Sequence, residues 1–376
     1  MTTSTRVVRL AIVTASAVVA AGVLAGCSSS PSSSAPSTAA TTAAAPGSFG
    51  NIDVQLSWIK NSEFAGEYYA LDNGYYTQAG FGTVTLTSGP SIGTSELASG
   101  KAQFALSDAA SVAAYDSDPA NASDPIVIVG ATYQKNPFTI ASLGTSGLTT
   151  PKSLVGKKIG VDASNTSLFN GFLAANGIDP TQVTVVPGSF NGPSMVESGK
   201  ADGYVSYITN EAIAIKKDTG SVTQLDFADN NFAYPAETIA VTKSFLTAHP
   251  DEVKAFLTAE IKGWSDTFKA SDTDVVSKVI EHFNAAVSAP GSAEKQNSSG
   301  KLDPTETKAE FDGQKALVAD AETKANGLFT ISSSLQTETV ASMAKAGFAV
   351  TADQIFDTSL LTQIYTENPG LMNYGG

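Results

Sequence analysis

The chain reads as an α/β protein of two similar lobes. Each lobe is a mostly parallel sheet flanked by helices; two crossing strands join them, and extra C-terminal helices follow. Three observations carry this reading. Strand-period and helix-period stretches alternate from Val54 to Val241, the pattern of βαβ units. A nine-residue pattern recurs, Ser99–Ser107 (SGKAQFALS) and Ser198–Ser206 (SGKADGYVS), offset by 99 residues. Each copy is a helix end, a glycine stop and a strand that ends in serine, and the period is too long for a solenoid. Finally, Ile126–Tyr133 (IVIVGATY) is a near-continuous apolar run, as expected of a strand buried in a parallel sheet.

The elements follow in order. Val54, Leu56 and Trp58 alternate with polar residues, which predicts a strand. Phe64, Tyr68 and Leu71 recur at i, i+4 and i+7, which predicts a helix stopped by Asn73-Gly74. The loop between them carries Trp58, Asn61 and Glu63. An aromatic face, an amide and a carboxylate at the carboxyl end of a sheet strand suit a flat polar ligand; core packing for Trp58 and helix capping for Asn61 stand equally open. A strand at 83–87 runs into Ser88-Gly89-Pro90-Ser91, where small residues let a ligand approach the backbone. After the strand at 104–107, Asp108 is placed to cap a helix. Phe138–Leu143 reads as a strand, and Ile159–Val161 starts another. Ser164, Asn165 and Thr166 then lead into a helix on Leu168, Phe172 and Ala175, offering hydroxyls and free amides to a ligand or one plain N-cap. The second copy of the repeat runs on into Tyr207-Ile208-Thr209-Asn210-Glu211, the corner that mirrors Asp108. Glu211 fits either a carboxylate facing a ligand amine or a first-turn acid favoured by the helix dipole. Phe232 and Tyr234 lie in a loop and suit ring stacking or core packing. His249-Pro250-Asp251 is helix-start chemistry, so His249 is structural. The helices expected over 306–326, 333–346 and 357–365 are assigned to packing behind lobe one, with no chemistry of their own.

Composition narrows the function. The 376 residues include 22 basic and 36 acidic ones. Removal of Arg6 and Arg9 with a leader would leave 20 and 36, a net charge of about −16, which argues against nucleic acid and anionic headgroups as partners. One cysteine, Cys27, excludes an internal disulfide and a cysteine-based zinc site, and neither of the two histidines sits in a catalytic motif. Arg6 and Arg9 followed by the apolar run Leu10–Leu24 and then Leu24-Ala25-Gly26-Cys27 match a lipoprotein signal peptide. Residues 1–26 are thus expected to be removed, Cys27 to carry lipid, and the Ser/Pro/Ala/Thr-rich stretch 27–50 to act as a tether. Lobe one is expected over 51–140, lobe two over 141–238, and the return to lobe one with the C-terminal helices over 239–376.

Three motifs carry a resemblance. The pattern W-x-x-N-x-x-F-A-G-x-Y-x-A-x-x-x-G-Y-Y from Trp58, P-x-S-L-x-G-K-K-I-G-V from Pro151, and F-L-x-x-H-P-D-x-V-x-x-F-L from Phe245 resemble the solute-binding proteins for thiamine pyrimidine precursors. That family also holds the nitrate, sulfonate and taurine receptors of ABC importers. The resemblance covers 52–283. It implies a periplasmic binding protein type 2 fold, no enzymatic activity, no cofactor or metal, and a monomer on the extracytoplasmic face that hands a small molecule to ABC permease subunits. It implies a cleft in which Trp58, Asn61, Glu63, Ser91, Asp108, Ser164, Asn165, Thr166, Tyr207, Asn210, Glu211 and Tyr234 meet the ligand, with Glu211 against a pyrimidine amino group. A nitrogen heterocycle is expected; riboflavin, a sulfonate-, taurine- or nitrate-type anion, and a non-transport sensor role on the same fold are the alternatives. Closure is expected to hinge at 138–143 and 237–241.

Overall fold

The computed structural model describes residues 45, 47–188, 192–296 and 300–375. The expected leader, Cys27 and most of the tether lie outside the described residues. The rest forms two five-stranded sheets with helices packed around them. The strands are β1 (Gly50–Gln55), β2 (Phe81–Thr87), β3 (Phe104–Asp108), β4 (Ile126–Tyr133), β5 (Phe138–Leu143), β6 (Lys158–Asp162), β7 (Thr184–Gly188), β8 (Gly203–Tyr207), β9 (Val222–Asp226) and β10 (Ala236–Thr242). The helices that matter here are α1 (Ala65–Asp72), α2 (Ala109–Asp116), α3 (Thr166–Ala175), α4 (Glu211–Thr219), α5 (Pro250–Lys269), α6 (Asp272–Val287), α7 (Pro304–Val318), α8 (Ser333–Lys345) and α9 (Ser359–Glu367).

The two sheets share one plan. The first has the order β2-β1-β3-β10-β4, the second β7-β6-β8-β5-β9. In each, four of the five strands run in one direction, and the strand that has just crossed from the other lobe is antiparallel to both its neighbours. The internal repeat therefore marks β3 and β8, which hold equivalent places. The sheets are thus mixed, with one reversed strand in each. β4 pairs only antiparallel with β10, yet all eight of its residues are buried, because the C-terminal segment covers its outer edge. Ala131 donates its N–H to the Phe329 carbonyl at 3.0 Å, and Asp357 donates to the Ile128 carbonyl at 2.9 Å. A covered edge reads as apolar in sequence just as a central strand does.

Sheet membership changes in the loops 134–137 and 227–235, so the crossings are these loops rather than β5 and β10 themselves. They are held together. Asn136 Nδ2 donates to the Phe232 carbonyl at 2.9 Å, and Phe227 N–H to the Phe138 carbonyl at 2.9 Å. Phe172, Phe227 and Phe138 stack in a row beside them.

The local signals act as expected at several starts. Asp108 Oδ1 accepts from the N–H groups of Ala110 and Ser111, both at 2.9 Å, and caps α2. Pro250 stands in the first turn of α5, with Asp251 and Glu252 beside the positive helix end. α1 crosses α5 closely because Gly66 and Gly263 lack side chains. A Cβ on Gly66 would lie 2.1 Å from Trp264 Cδ1, and one on Gly263 would lie 2.2 Å from the Gly66 carbonyl oxygen. The C-terminal helices straddle both lobes instead of backing lobe one alone. α7 packs on β4 and also meets α4, and α8 packs on α3.

Candidate functional site: an acidic cleft between the lobes

The carboxyl ends of β1, β3, β6 and β8 open on one gap between the sheets. β1 leads to Ser57 and Trp58, β3 ends at Ser107 and Asp108, β6 at Asp162, and β8 at Ser206 and Tyr207. With Glu63, Ile92, Phe138, Ser164, Asn165, Val205, Asn210 and Glu211 they line one cavity. This is the position predicted for ligands in open α/β sheets.

Glu63 is the most constrained group in it. Asn61 has extended backbone, accepts the Glu63 N–H through Oδ1 at 3.0 Å, and donates Nδ2 to Glu63 Oε1 at 3.0 Å. Asn210 donates its Nδ2 to the same oxygen from the opposite lobe. Glu63 Oε2 is buried with no hydrogen-bond partner in the protein. Burial pushes the Glu63 carboxyl up to about 7, while the two asparagine donors pull it back. Across the cleft Glu211 opens α4. Burial raises it to about 8, and the like charges of Asp162 and Glu63 add to the shift. Asp162 accepts from the Tyr204 hydroxyl at 2.6 Å.

A third glutamate stands behind these two. Glu237 is 1% exposed and has φ of 45°, a left-handed conformation rare for a side chain of this size. Its Oε2 accepts from Ser57 Oγ at 2.9 Å, and its Oε1 accepts from the Tyr207 hydroxyl of lobe two at 2.8 Å. Burial first, then the charge of Glu63, holds its carboxyl well above the usual range. In the sequence, position 237 reads only as the start of a strand. The available signal is a lone acid heading the otherwise apolar run Ala236–Val241. Phe138, likewise absent from the residues expected to meet a ligand, lies edge-on to Tyr207 with ring centroids 4.6 Å apart. With Trp58 it supplies aromatic surface.

Of the twelve residues expected to meet a ligand, Trp58, Glu63, Asp108, Ser164, Asn165, Tyr207, Asn210 and Glu211 line this cavity. Four do not. Asn61 is buried behind Glu63 and borders a neighbouring cavity. Ser91 is spent locally, donating Oγ to Glu96 Oε2 at 2.8 Å and accepting the Gly93 N–H at 3.1 Å. Thr166 faces solvent on the first turn of α3. Tyr234 is fully buried, edge-on to Phe232 at 5.0 Å, in the core at the crossing. Asp108 lines the cleft, but both its oxygens serve the cap of α2, the second accepting Ser111 Oγ at 2.6 Å.

The chemistry of this wall is one-sided. It holds four carboxyl groups and no lysine, arginine or histidine among the described lining residues. Such a wall accepts hydrogen bonds and gains from positive charge, and it offers an anion no cation among the described lining residues. Among the described residues, no three His, Cys, Asp or Glu side chains are grouped to hold a metal ion, and no helix is long and apolar enough to cross a membrane.

The chain is similar to known proteins. The riboflavin-binding protein RibY of Chloroflexus aurantiacus is 26% identical over 232 residues, 59% of this chain and 63% of that protein. A formylaminopyrimidine-binding protein of Halalkalibacterium halodurans is 25% identical over 221 residues, 57% of this chain and 65% of that protein. The chain thus spans just under two thirds of the length of these relatives. The ligand-binding component of an ABC-type import system from Staphylococcus aureus, solved with zinc bound, superposes with a TM-score of 0.58 at 13% identity, covering 84% of this chain and 98% of that one. The architecture is accordingly the periplasmic binding protein fold. The family model described as NMT1/THI5 like matches residues 61–273, which hold most of the cleft wall, and the chain belongs to that family.

Proposed function

We propose that this protein is the extracytoplasmic ligand-binding component of an ABC-type importer and that its ligand is a small nitrogen heterocycle bearing hydrogen-bond donors. The carrying observation is Glu63, shared between Asn61 of one lobe and Asn210 of the other, with its second oxygen unpaired and Glu211 across the cleft. A ring amine or ring N–H between the two carboxyl groups would satisfy both lobes at once, and Trp58 and Phe138 would cover its faces. A ligand that bridges the lobes favours the closed form over the open one, and the permease subunits would receive that form. The chain catalyses nothing in this reading. Lipid on Cys27 would hold it at the membrane, and it would act as a monomer.

The names of the two curated relatives favour a pyrimidine or a flavin over the anions. A sulfonate or nitrate would face carboxyl groups with no cation beside them. The test is calorimetry on protein beginning near Ser48, against an aminopyrimidine thiamine precursor, riboflavin, taurine, an alkanesulfonate and nitrate. Saturable binding of a heterocycle, weakened about tenfold or more by Glu211→Gln and by Trp58→Ala, is expected. Binding of the anions alone would overturn the ligand class.

A further inference from the structure

A second cavity adjoins the first. Trp58, Asn210 and Glu211 border both, so the two are separated by side chains rather than by backbone layers. Its far wall is the start of α7, from Leu302 through Glu306 to Glu310, facing Ala214 and Lys217 of α4. That wall lies beyond residue 273, where the family match ends.

From this geometry we infer that the ligand has two parts: a planar donor-bearing head in the first cavity and a chain carrying hydrogen-bond donors in the second. The inference rests on the heterocycle reading and adds the ligand's second half. Three arguments support it. The head cavity is confined by four strand ends, whereas the second is the larger and shares Trp58, Asn210 and Glu211 with it. Its wall is rich in carboxyl groups: Glu211, Asp218, Asp303, Glu306 and Glu310 line it, with Glu310 Oε2 accepting from Ser62 Oγ at 3.0 Å and Asp303 Oδ2 and Glu306 Oε2 holding the Lys217 ammonium at 3.6 and 3.0 Å. Carboxyl groups thus outnumber the two lysines that border it, and they select donors on the ligand, either hydroxyls or a cationic nitrogen. The Lys217 pairs also join α4 of lobe two to α7, and this cavity, like the first, has walls from both lobes.

The experiment compares heads with head-plus-chain probes by calorimetry: lumiflavin against riboflavin, and the hydroxymethyl aminopyrimidine against thiamine. It uses the protein and its Ala214→Phe variant, which plugs the second cavity only; Ala214→Leu is a smaller plug in case phenylalanine disturbs α4. Riboflavin binding about tenfold or more tighter than lumiflavin, with that gain lost in the variant and lumiflavin unaffected, is expected if hydroxyls are the donors. The same pattern for thiamine over its pyrimidine is expected if the donor is cationic. Heads that bind while neither chain adds affinity, or a variant that weakens heads and full probes alike, would overturn the second site and leave the heterocycle reading intact. No binding by any head or full probe would overturn both.

Discussion

Replacing Glu63 by glutamine should make the protein more stable and its ligand weaker. Glu63 is 2% exposed, and burial lifts its carboxyl from an ordinary 4.5 to about 7. Between those values the folded protein holds a proton that the unfolded chain releases. Stability therefore falls as pH rises from 4.5 to 7, and the full penalty is in place above 7. At about 1.4 kcal/mol per unit the shift corresponds to roughly 3 kcal/mol at pH 8, with about 2 of it arising between pH 5 and pH 8. Glutamine keeps an oxygen for the Asn61 and Asn210 donors, carries no charge, and places an amide donor where Oε2 had no partner. Urea unfolding at pH 5 and pH 8 measures the effect. Relative to the parent, Glu63→Gln should gain about 2 kcal/mol more at pH 8 than at pH 5, while losing affinity for a donor-bearing heterocycle. A gain independent of pH would refute the assignment of that burial penalty to Glu63. Unchanged affinity would refute its role as the ligand's acceptor.

Other consequences follow from the same contacts. Glu237→Ala removes the acceptor for Tyr207 of lobe two, a contact worth about 0.5–1.5 kcal/mol for a neutral carboxyl, so the ligand-free protein should open measurably by small-angle scattering; an unchanged radius of gyration would contradict the role of Glu237 in bridging the lobes. Gly66→Ala drives a Cβ into the Trp264 ring and should cost about 1–3 kcal/mol or more in thermal or urea unfolding, whereas a neutral effect would mean that the α1–α5 crossing yields. Thr166→Ala, on an exposed turn outside the cavity, should leave affinity and stability within about 0.5 kcal/mol of the parent; a tenfold loss of affinity would place that residue in the site after all.

What could be read from sequence was local. The helix spacing of Phe64, Tyr68 and Leu71 and the cap at Asp108 each depend on a few neighbouring residues and appear within a residue of where periodicity and capping place them, whereas the strand read from Val54, Leu56 and Trp58 ends at Gln55, so that Leu56 and Trp58 belong to the loop after it. The repeat at Ser99 and Ser198 foretold matching sheets because the same turn and strand recur in both lobes. What escaped depends on distant partners. Glu237 takes its meaning from Ser57, 180 residues away, and from a backbone conformation that its residue type disfavours. Tyr234 and Phe232 sit in a loop, which suggests exposure, but that loop is the crossing and is packed as core. The burial of β4 looks in sequence like a central parallel strand, because a covering C-terminal segment and flanking strands exclude water alike. The C-terminal helices carry no recognisable motif, so the reach of Glu306 and Glu310 to the cleft came only from their packing.

The most direct measurement is a crystal structure of the protein with the tightest-binding heterocycle from the calorimetric panel. The account predicts a ring in the inter-lobe cavity against Trp58, with its donors within hydrogen-bond distance of the Glu63 and Glu211 carboxyl groups and the Asn210–Glu63 bridge in place. A ligand seated elsewhere, or one in the cleft that touches neither carboxyl group, would contradict it.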